Sequence, residues 1–198
     1  MGLHRAGFDV TGVDIKPQKH YPFRFIQGDA LRPPVRLEDF DLVWASPPCQ
    51  AYTTMDNRRR SSKYAVIPNV RELLRGSKLS VIENVMGARR EMPNAIRLTG
   101  EMFALRVHRP RLFELSGFWM MAPSMKPRQK DSVAVYGKPD GRRLWDRADG
   151  TMLRAWRLED GKDAMGIDWA DAHGIKEAIP PAYAEHIGNY AMMALDEE

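Results

Sequence analysis

The sequence of 198 residues predicts an α/β fold built on a mainly parallel sheet. Short apolar runs of strand length alternate with helical spacing through the first half of the chain, as in successive βαβ units. Several of these runs end in an acidic or reactive residue, at the sheet edge where open α/β sheets bind their ligands. A hydrophobic content of 43% with 28% charged residues is typical of a globular chain that buries a core.

The first part of the chain is predicted to contain the end of a helix and three strands. Gly7 closes the helix, since glycine commonly occupies the position after a helix end. The third strand is fully apolar after Asp41, as expected of a strand covered on both faces, and two prolines that cannot donate ladder hydrogen bonds end it. The helix spans residues 1–6, and the strands span residues 8–14, 23–27 and 40–45.

The rest of the chain is predicted to return to strand twice and to end in a helix. A proline near the first turn favours that last helix. From residue 118 to residue 157 the periodicity is lost among Met, Pro, Lys, Gly and Trp, so we expect a small irregular insert there. The remaining elements are a helix at 66–74, strands at 79–82 and 111–115, and the helix at 181–195.

Composition and charge limit the class of protein. The net charge of +4, with a pI near 9.3, permits a polyanionic partner without requiring one. No apolar stretch could span a bilayer and no signal peptide follows Met1, so we expect a cytoplasmic protein without membrane contact. The histidines lack paired ligand spacing and there is one cysteine, which predicts no metal site and no internal disulfide.

That one cysteine, Cys49, follows the apolar strand 40–45 within the segment Ser-Pro-Pro-Cys-Gln at 46–50. The thiol is therefore predicted to lie on a loop at the carboxyl end of a sheet strand, where a ligand would bind. A free cysteine is also commonly a small buried hydrophobic residue. The position alone leaves both interpretations open.

The order of four motifs resembles that of the cytosine-C5 DNA methyltransferases, most closely the short, phage-like members. The resemblance implies an α/β, Rossmann-like fold that binds S-adenosylmethionine. It covers nearly the whole chain and implies a catalytic domain at 1–117, a small target-recognition region at 118–157 and a return to the catalytic domain at 158–198. The motifs are Ser46-Pro-Pro-Cys49-Gln50, Ile82-Glu83-Asn84-Val85, Arg109-Pro-Arg111-Leu-Phe-Glu114, and Ile179-Pro-Pro-Ala-Tyr183 with Ile187-Gly188-Asn189.

The resemblance implies a role in base chemistry for four residues. Cys49 would add as a thiolate to C6 of cytosine, which makes C5 nucleophilic. Glu83 would hydrogen-bond or protonate N3 and accept from the N4 amine, which selects cytosine. Arg111 would stabilise charge on O2, with Arg109 in support. Alternatively, Glu83 is an ordinary surface acid and the two arginines lie on a solvated edge strand.

The resemblance also implies S-adenosylmethionine as the methyl donor. Asp14 would bind the ribose hydroxyls, Ile15 would pack against the adenine and Asp29 would accept from adenine N6. The alternative is that the acids are ordinary strand-end or turn residues. Three further residues are implied in the cofactor site: Ala30, Pro48 and Asn189.

Double-stranded DNA is the implied partner, in a bacterial or phage restriction-modification setting, and we expect a monomer. The target base must leave the helix to reach such a pocket. The DNA would be contacted by Gln50, which follows the nucleophile directly. Three adjacent arginines further along would bind its phosphates: Arg58, Arg59 and Arg60. An exposed polar loop is the alternative for the arginines.

The chain departs from the family at its start. The family's first strand and its glycine-rich cofactor loop have no counterpart before residue 8, so we expect either a true start upstream or an impaired copy. That strand is central in the family, between the strands predicted at 8–14 and 40–45, which should therefore flank a gap. Two other functions stay open: a DNA-binding pseudoenzyme, and an RNA cytosine-5 methyltransferase with the same chemistry.

Overall fold

The computed structural model describes residues 1–52, 66–136, 143–146 and 152–197. These residues form two compact units, each built from three segments of the chain. The first unit contains Met1–Asp9, Thr99–Arg109 and Ala122–Asn189, and the second contains Val10–Leu98, Pro110–Met121 and Tyr190–Glu198.

The helices and strands are numbered in chain order. The helices are α1 (Gly2–Arg5), α2 (Ile67–Leu73), α3 (Leu158–Met165), α4 (Ala172–Glu177) and α5 (Pro181–Asp196), with short 3-10 turns at Leu37–Asp39, Met86–Arg90 and Gly100–Phe103. The strands are β1 (Thr11–Asp14), β2 (Arg24–Gln27), β3 (Leu42–Ala45), β4 (Leu79–Val85), β5 (Ile96–Leu98), β6 (Arg111–Ser116), β7 (Asp131–Ala134), β8 (Arg143–Asp146) and β9 (Met152–Ala155).

The second unit is organised around a four-stranded sheet in the order β3-β4-β6-β5. β3 runs parallel to β4, and β6 runs antiparallel to both β4 and β5. β4 is buried along nearly its whole length, as a central strand of an α/β sheet should be. The core of this unit joins α2, the sheet and the turn after β4; its buried members are Ile67, Val70, Leu74, Ile82, Ala88, Met92, Ala95 and Leu112.

A second, two-stranded parallel sheet in the same unit pairs β1 with β2. Among the described residues, no ladder of hydrogen bonds joins β1 to β3, and the two strands are edges of different sheets. This is the arrangement expected if β1 and β3 flank the position of an absent central strand. The structure thus places β1 and β3 in different sheets, and a gap left by an absent strand between them stays a prediction.

The first unit contains a three-stranded sheet in the order β7-β9-β8. β7 runs parallel to β9, and β8 runs antiparallel to β9. This sheet corrects the expectation of irregular structure over residues 118–157. A cluster around the fully buried Trp156 forms the core of the unit: Val107, Val133, Val135, Trp156, Ala164, Met165, Ile167 and Ile175.

The predicted elements are present, with shifted ends. The strand expected at 8–14 begins only at Thr11, and the strand expected at 79–82 continues to Val85. β5, α3 and α4 carry no clear pattern and were not predicted. Gly161 weakens the helical signal of α3 in the sequence, since glycine is a poor helix former. The structure requires glycine there, because a Cβ would lie 2.4 Å from the ring of Trp156. No helix in the described part of the chain is both long and apolar enough to cross a membrane.

Candidate active site at the carboxyl end of the four-stranded sheet

The loop that carries Cys49 leaves the sheet where β4 still continues. Ala45 is the last residue of β3 and pairs with Ile82, so the loop begins beside Glu83 and Asn84 of β4. The Asn84 side chain, 1% exposed, donates a hydrogen bond of 3.0 Å from Nδ2 to the carbonyl oxygen of Pro47. A buried amide that holds the loop backbone fixes the path of the chain toward Cys49.

The Cys49 side chain is free and exposed. The alternative of a small buried hydrophobic cysteine is therefore wrong. The exposed thiol, on a loop held by a buried hydrogen bond, is accessible to a substrate.

Glu83 and Arg111 form a buried ion pair beside this loop. In the antiparallel β4–β6 register, Glu83 faces Phe113 and Val85 faces Arg111, which places all four side chains on one face of the sheet. Arg111 Nε lies 3.1 Å from Glu83 Oε1, and the side chains are 15% and 10% exposed. Glu83 is thus not a surface acid, and β6 lies between β4 and β5 rather than at an edge. The pair gives the carboxylate a fixed orientation and a compensating charge.

Tyr52 anchors the far end of the cysteine loop. Its backbone N–H donates to the carbonyl of Cys49 at 2.9 Å, and its hydroxyl donates to Glu91 Oε2 at 2.8 Å. The hydroxyl also accepts a hydrogen bond from the backbone of Ile67, the first residue of α2, a helix whose N-cap Val66 makes no side-chain cap bond. One side chain therefore ties the cysteine loop both to α2 and to the turn after β4.

The environment of Tyr52 keeps its hydroxyl protonated. Burial, the hydrogen bond to Glu91 and the negative charge of Glu91 raise the pKa of Tyr52 to about 12, against smaller opposing effects of Ile67 and Arg71. Arg71 extends the same network, because it binds Glu114 with two nitrogens at 2.6 and 2.9 Å and the carbonyl of Glu91 at 2.7 Å.

Replacing Gly87 with alanine is expected to destabilise the protein. A Cβ at Gly87 would lie 1.8 Å from the carbonyl oxygen of Tyr52, so backbone must move. Overpacking of this kind typically costs about 1–3 kcal/mol, which corresponds to a fall in melting temperature of roughly 2–12 °C at about 2–4 °C per kcal/mol. Gly76→Ala is the matched control, because a Cβ there meets nothing within 4 Å. Equal melting temperatures for the two variants would show that the Tyr52–Gly87 contact is not tight.

Arg109 is held by backbone carbonyl groups. Its guanidinium donates to Ala178 at 2.8 and 2.5 Å, to Lys176 at 2.5 Å and to Val135 at 3.1 Å, and its own carbonyl accepts from the Tyr183 hydroxyl at 3.0 Å. These contacts satisfy the carbonyl groups at the end of α4 and fix Arg109 in a left-handed conformation with φ of 34°. They indicate a structural role within the first unit, and the predicted support of Arg111 stays a prediction.

Asp14 and Asp29 follow the two strands of the small parallel sheet. Because Asp14 pairs with Gln27, both acids lie at the carboxyl end of this sheet. Asp14 accepts from the Lys16 backbone at 2.8 Å and from Gln18 at 3.1 Å, and Asp29 accepts from the Leu31 backbone at 2.9 Å. A carboxylate accepts up to about four hydrogen bonds, so capacity remains for ligand hydroxyl or amine groups. Ile15, between them in sequence, is 66% exposed.

The other predicted site residues are placed as follows. Ala30, Pro48 and Gln50 are exposed, and Asn189 lies exposed on α5. The structure does not test their roles. The three adjacent arginines, Arg58, Arg59 and Arg60, lie outside the described residues.

No metal site occurs among the residues that the structure describes, since no group of three or more His, Cys, Asp or Glu side chains comes together there.

The sequence did not predict that Tyr52 belongs to the site, nor that Asn84 holds the cysteine loop. Asn84 belongs to the Glu-Asn-Val motif, so the sequence did mark it as a residue of interest. Tyr52 and Glu91 are 39 positions apart, and no local pattern connects them.

The fold is that of a group of solved methyltransferases. A putative DNA modification methyltransferase encoded within a prophage of E. coli matches with a TM-score of 0.63 at 15% identity, over 98% of this chain and 95% of that chain. The Dnmt2 methyltransferase of S. pombe matches with a TM-score of 0.59 at 13% identity, over 98% and 96% of the two chains. The methyltransferase EhMeth of Entamoeba histolytica matches with a TM-score of 0.61 at 12% identity, over 98% and 95%.

At these identities the similarity establishes the fold, a Rossmann-like α/β methyltransferase fold, and the fold class predicted from the sequence is confirmed. No family model matches the sequence. No curated protein matches it either. The activity is therefore inferred from the geometry of the site.

Proposed function

We propose that this protein is a DNA cytosine-5 methyltransferase that uses S-adenosylmethionine and forms a covalent adduct between Cys49 and its target base. The observation that carries the proposal is the exposed Cys49 thiol on a loop that starts beside the buried Glu83–Arg111 pair. A nucleophile, an acid and a cation at one sheet edge are the groups that methylation of cytosine C5 requires.

Cys49 activates the base. Its sulfur adds to C6, which moves electron density to C5 and prepares C5 to accept a methyl group. After the transfer, C5 loses its proton to solvent water, a proton delivered to N3 returns to Glu83, and the sulfur leaves C6 as a thiolate, which restores the aromatic ring. An exposed thiol can reach C6 only of a base that has left the duplex.

Glu83 and Arg111 act on the opposite edge of the ring. Glu83 hydrogen-bonds N3 or delivers a proton to it as the sulfur adds, because addition at C6 increases the negative charge on N3. Arg111 keeps the carboxyl group oriented from 3.1 Å and stabilises charge on O2. Since Asn84 follows Glu83 and binds the Pro47 carbonyl, one strand positions both the acid and the nucleophile loop.

The donor set at the ends of β1 and β2 fits S-adenosylmethionine. Asp14 has acceptor capacity for the ribose hydroxyls, Asp29 has it for the adenine amine, and the exposed Ile15 offers an apolar surface to the adenine ring. The cofactor supplies an electrophilic methyl group as a sulfonium. Ala30, Pro48 and Asn189 are proposed to complete its contacts.

The prophage neighbour is described as a DNA modification methyltransferase, which supports DNA as the substrate and a modification role. The test is to incubate the chain with S-adenosylmethionine carrying a labelled methyl group and with duplex DNA or, separately, tRNA. We expect label in 5-methylcytosine of the DNA. Label only in tRNA, or in neither nucleic acid, would contradict the proposal.

Arg58, Arg59 and Arg60 are expected to bind DNA phosphates. Replacing all three with glutamine should lower the slope of log K against log salt by up to about 2.7, at roughly 0.9 per phosphate contact. The affinity of duplex DNA is measured by fluorescence anisotropy over a salt series. Arg24, Arg32 and Arg97 are exposed elsewhere, and replacing these three with glutamine gives a control of equal net charge. If both triple variants behave alike, the run acts only through total charge.

A further inference from the structure

The first unit contains an open groove with a basic lining. Four basic side chains and one carboxylate line it, with a volume of about 550 Å³. The basic residues are Arg106, Lys126, Arg128 and Lys130, and the acid is Asp131. Three of the four come from one short segment, in which every second residue is a cation.

That segment is anchored to the rest of the first unit by hydrogen bonds and an ion pair. Arg128 Nε lies 2.8 Å from Oε1 of Glu101, a residue that is 3% exposed, and His108 Nδ1 lies 2.6 Å from the same oxygen. Ser132, 2% exposed, donates to the carbonyl of Gln129 at 2.7 Å. Pro127 fixes its own φ and biases Lys126 toward an extended conformation.

The Glu101 carboxylate stays ionised in this setting. Burial raises the pKa of Glu101, but hydrogen bonds from His108, the backbone and Arg128, with the charge of His108, more than offset this and bring it to about 2. The negative charge of Glu101 is therefore present at neutral pH and is matched by Arg128. Arg106 is matched in the same way by Asp163, at 2.5 Å.

The two lysines are different. Lys126 and Lys130 are exposed, and neither makes an ion pair with another residue in the described part of the chain. The paired arginines shape the groove, whereas the two lysine ammonium groups project charge that no acidic side chain among the described residues pairs with. Two exposed ammonium groups four positions apart on one anchored segment suit a ligand with repeated negative charges.

We propose that Lys126 and Lys130 bind the phosphate backbone of duplex DNA in this groove, without reading its sequence. The choice of DNA rests on the proposed function. Ammonium groups bind phosphates as point charges, and contacts to phosphates carry no sequence information directly. The groove therefore contributes affinity that depends on salt and not on base sequence.

The experiment is equilibrium binding of the whole chain to short DNA duplexes, without cofactor, over about 50–200 mM salt. Lys126→Gln combined with Lys130→Gln should lower the slope of log K against log salt by up to about 1.8, two contacts at roughly 0.9 each. The reduction should be the same for two duplexes of unrelated sequence. The control is Lys19→Gln with Lys176→Gln, two lysines exposed elsewhere, which removes the same charge and should leave the slope near that of the parent.

Three results would overturn the proposal: an unchanged slope in the groove variant, an equal reduction in the control, or a reduction for one duplex only. Because the assay needs neither methyl transfer nor cofactor, it separates this proposal from the proposed activity. A protein that binds DNA through the groove but never methylates it would contradict only the proposed function. A methylating protein with an unchanged slope would contradict only the groove.

Discussion

Replacing Cys49 with serine is expected to reduce methyl transfer to the background of the assay. A serine hydroxyl is scarcely ionised at neutral pH, whereas a thiol is a few per cent thiolate and is intrinsically far more nucleophilic. Without addition at C6, C5 of cytosine is too weak a nucleophile to accept the methyl group. The measurement is the single-turnover rate of label transfer from S-adenosylmethionine to duplex DNA.

The serine variant should keep its fold and its affinity for DNA. Cys49 is exposed, and serine has nearly the same shape, so little packing is lost. The melting temperature and the anisotropy of labelled DNA check this in the same preparation. A serine variant that still methylates DNA at a rate close to the parent would rule out Cys49 as the nucleophile.

Replacing Glu83 with glutamine is expected to slow the same step by about 10²–10⁴-fold, the usual contribution of general acid–base catalysis. The amide keeps the size of the side chain but cannot deliver a proton to N3. It also leaves Arg111 without its carboxylate, and removing one partner of a buried pair typically costs about 3–5 kcal/mol of stability. Rate and stability must therefore be measured together.

Glu114→Gln is the matched control for Glu83→Gln. Glu114 lies on β6, the strand that also carries Arg111, and it forms an ion pair with Arg71 at 2.6 Å. This control loses a carboxylate–arginine pair that joins β6 to α2, so its stability should fall while its single-turnover rate stays near that of the parent. If the two variants lose rate in proportion to stability, Glu83 has no special chemical role.

The sheet of the second unit could be predicted from the sequence because its signals are local. Each helix or strand is indicated by residues next to it in sequence. Examples are the apolar runs of the strands, the proline pair after β3 and Gly7 after α1. The positions of Glu83 and Arg111 in the sheet could be predicted for the same reason. Glu83 directly follows one strand that the apolar pattern predicts, and Arg111 begins another. Whether Cys49 was buried or exposed could not be read locally, because exposure depends on the path of the loop.

The sheet of the first unit could not be predicted because its strands lie in a stretch without clean apolar periodicity and the two parallel strands are far apart in sequence. β7 pairs with β9 in parallel, and residues 135–151 lie between them in sequence. The backbone contacts of Arg109 are equally nonlocal, since they join it to residues about 70 positions away. The charge of Arg109 and its closeness to Arg111 suggested a role in catalysis. In the structure, its guanidinium donates hydrogen bonds to backbone carbonyl groups.

The separation of β1 and β3 bears on cofactor binding. Each strand has a partner on one side only within the described residues, and the predicted cofactor residues follow β1 and β2. Asp14 and Asp29 are nevertheless oriented by hydrogen bonds from their own turns, at 2.8 and 2.9 Å. Their orientation therefore rests on local contacts, and their role in cofactor binding stays a prediction.

The most direct test of the central claim is to trap the adduct between Cys49 and cytosine. Fluorine at C5 cannot leave as a proton does, so DNA that contains 5-fluorocytosine should hold the enzyme once the methyl group has been transferred. Mass spectrometry of the digested complex in the presence of S-adenosylmethionine identifies the attached residue. We expect the nucleotide on the peptide that contains Cys49, with no complex formed by Cys49→Ser; a complex attached elsewhere, or one that persists in the serine variant, would contradict the account.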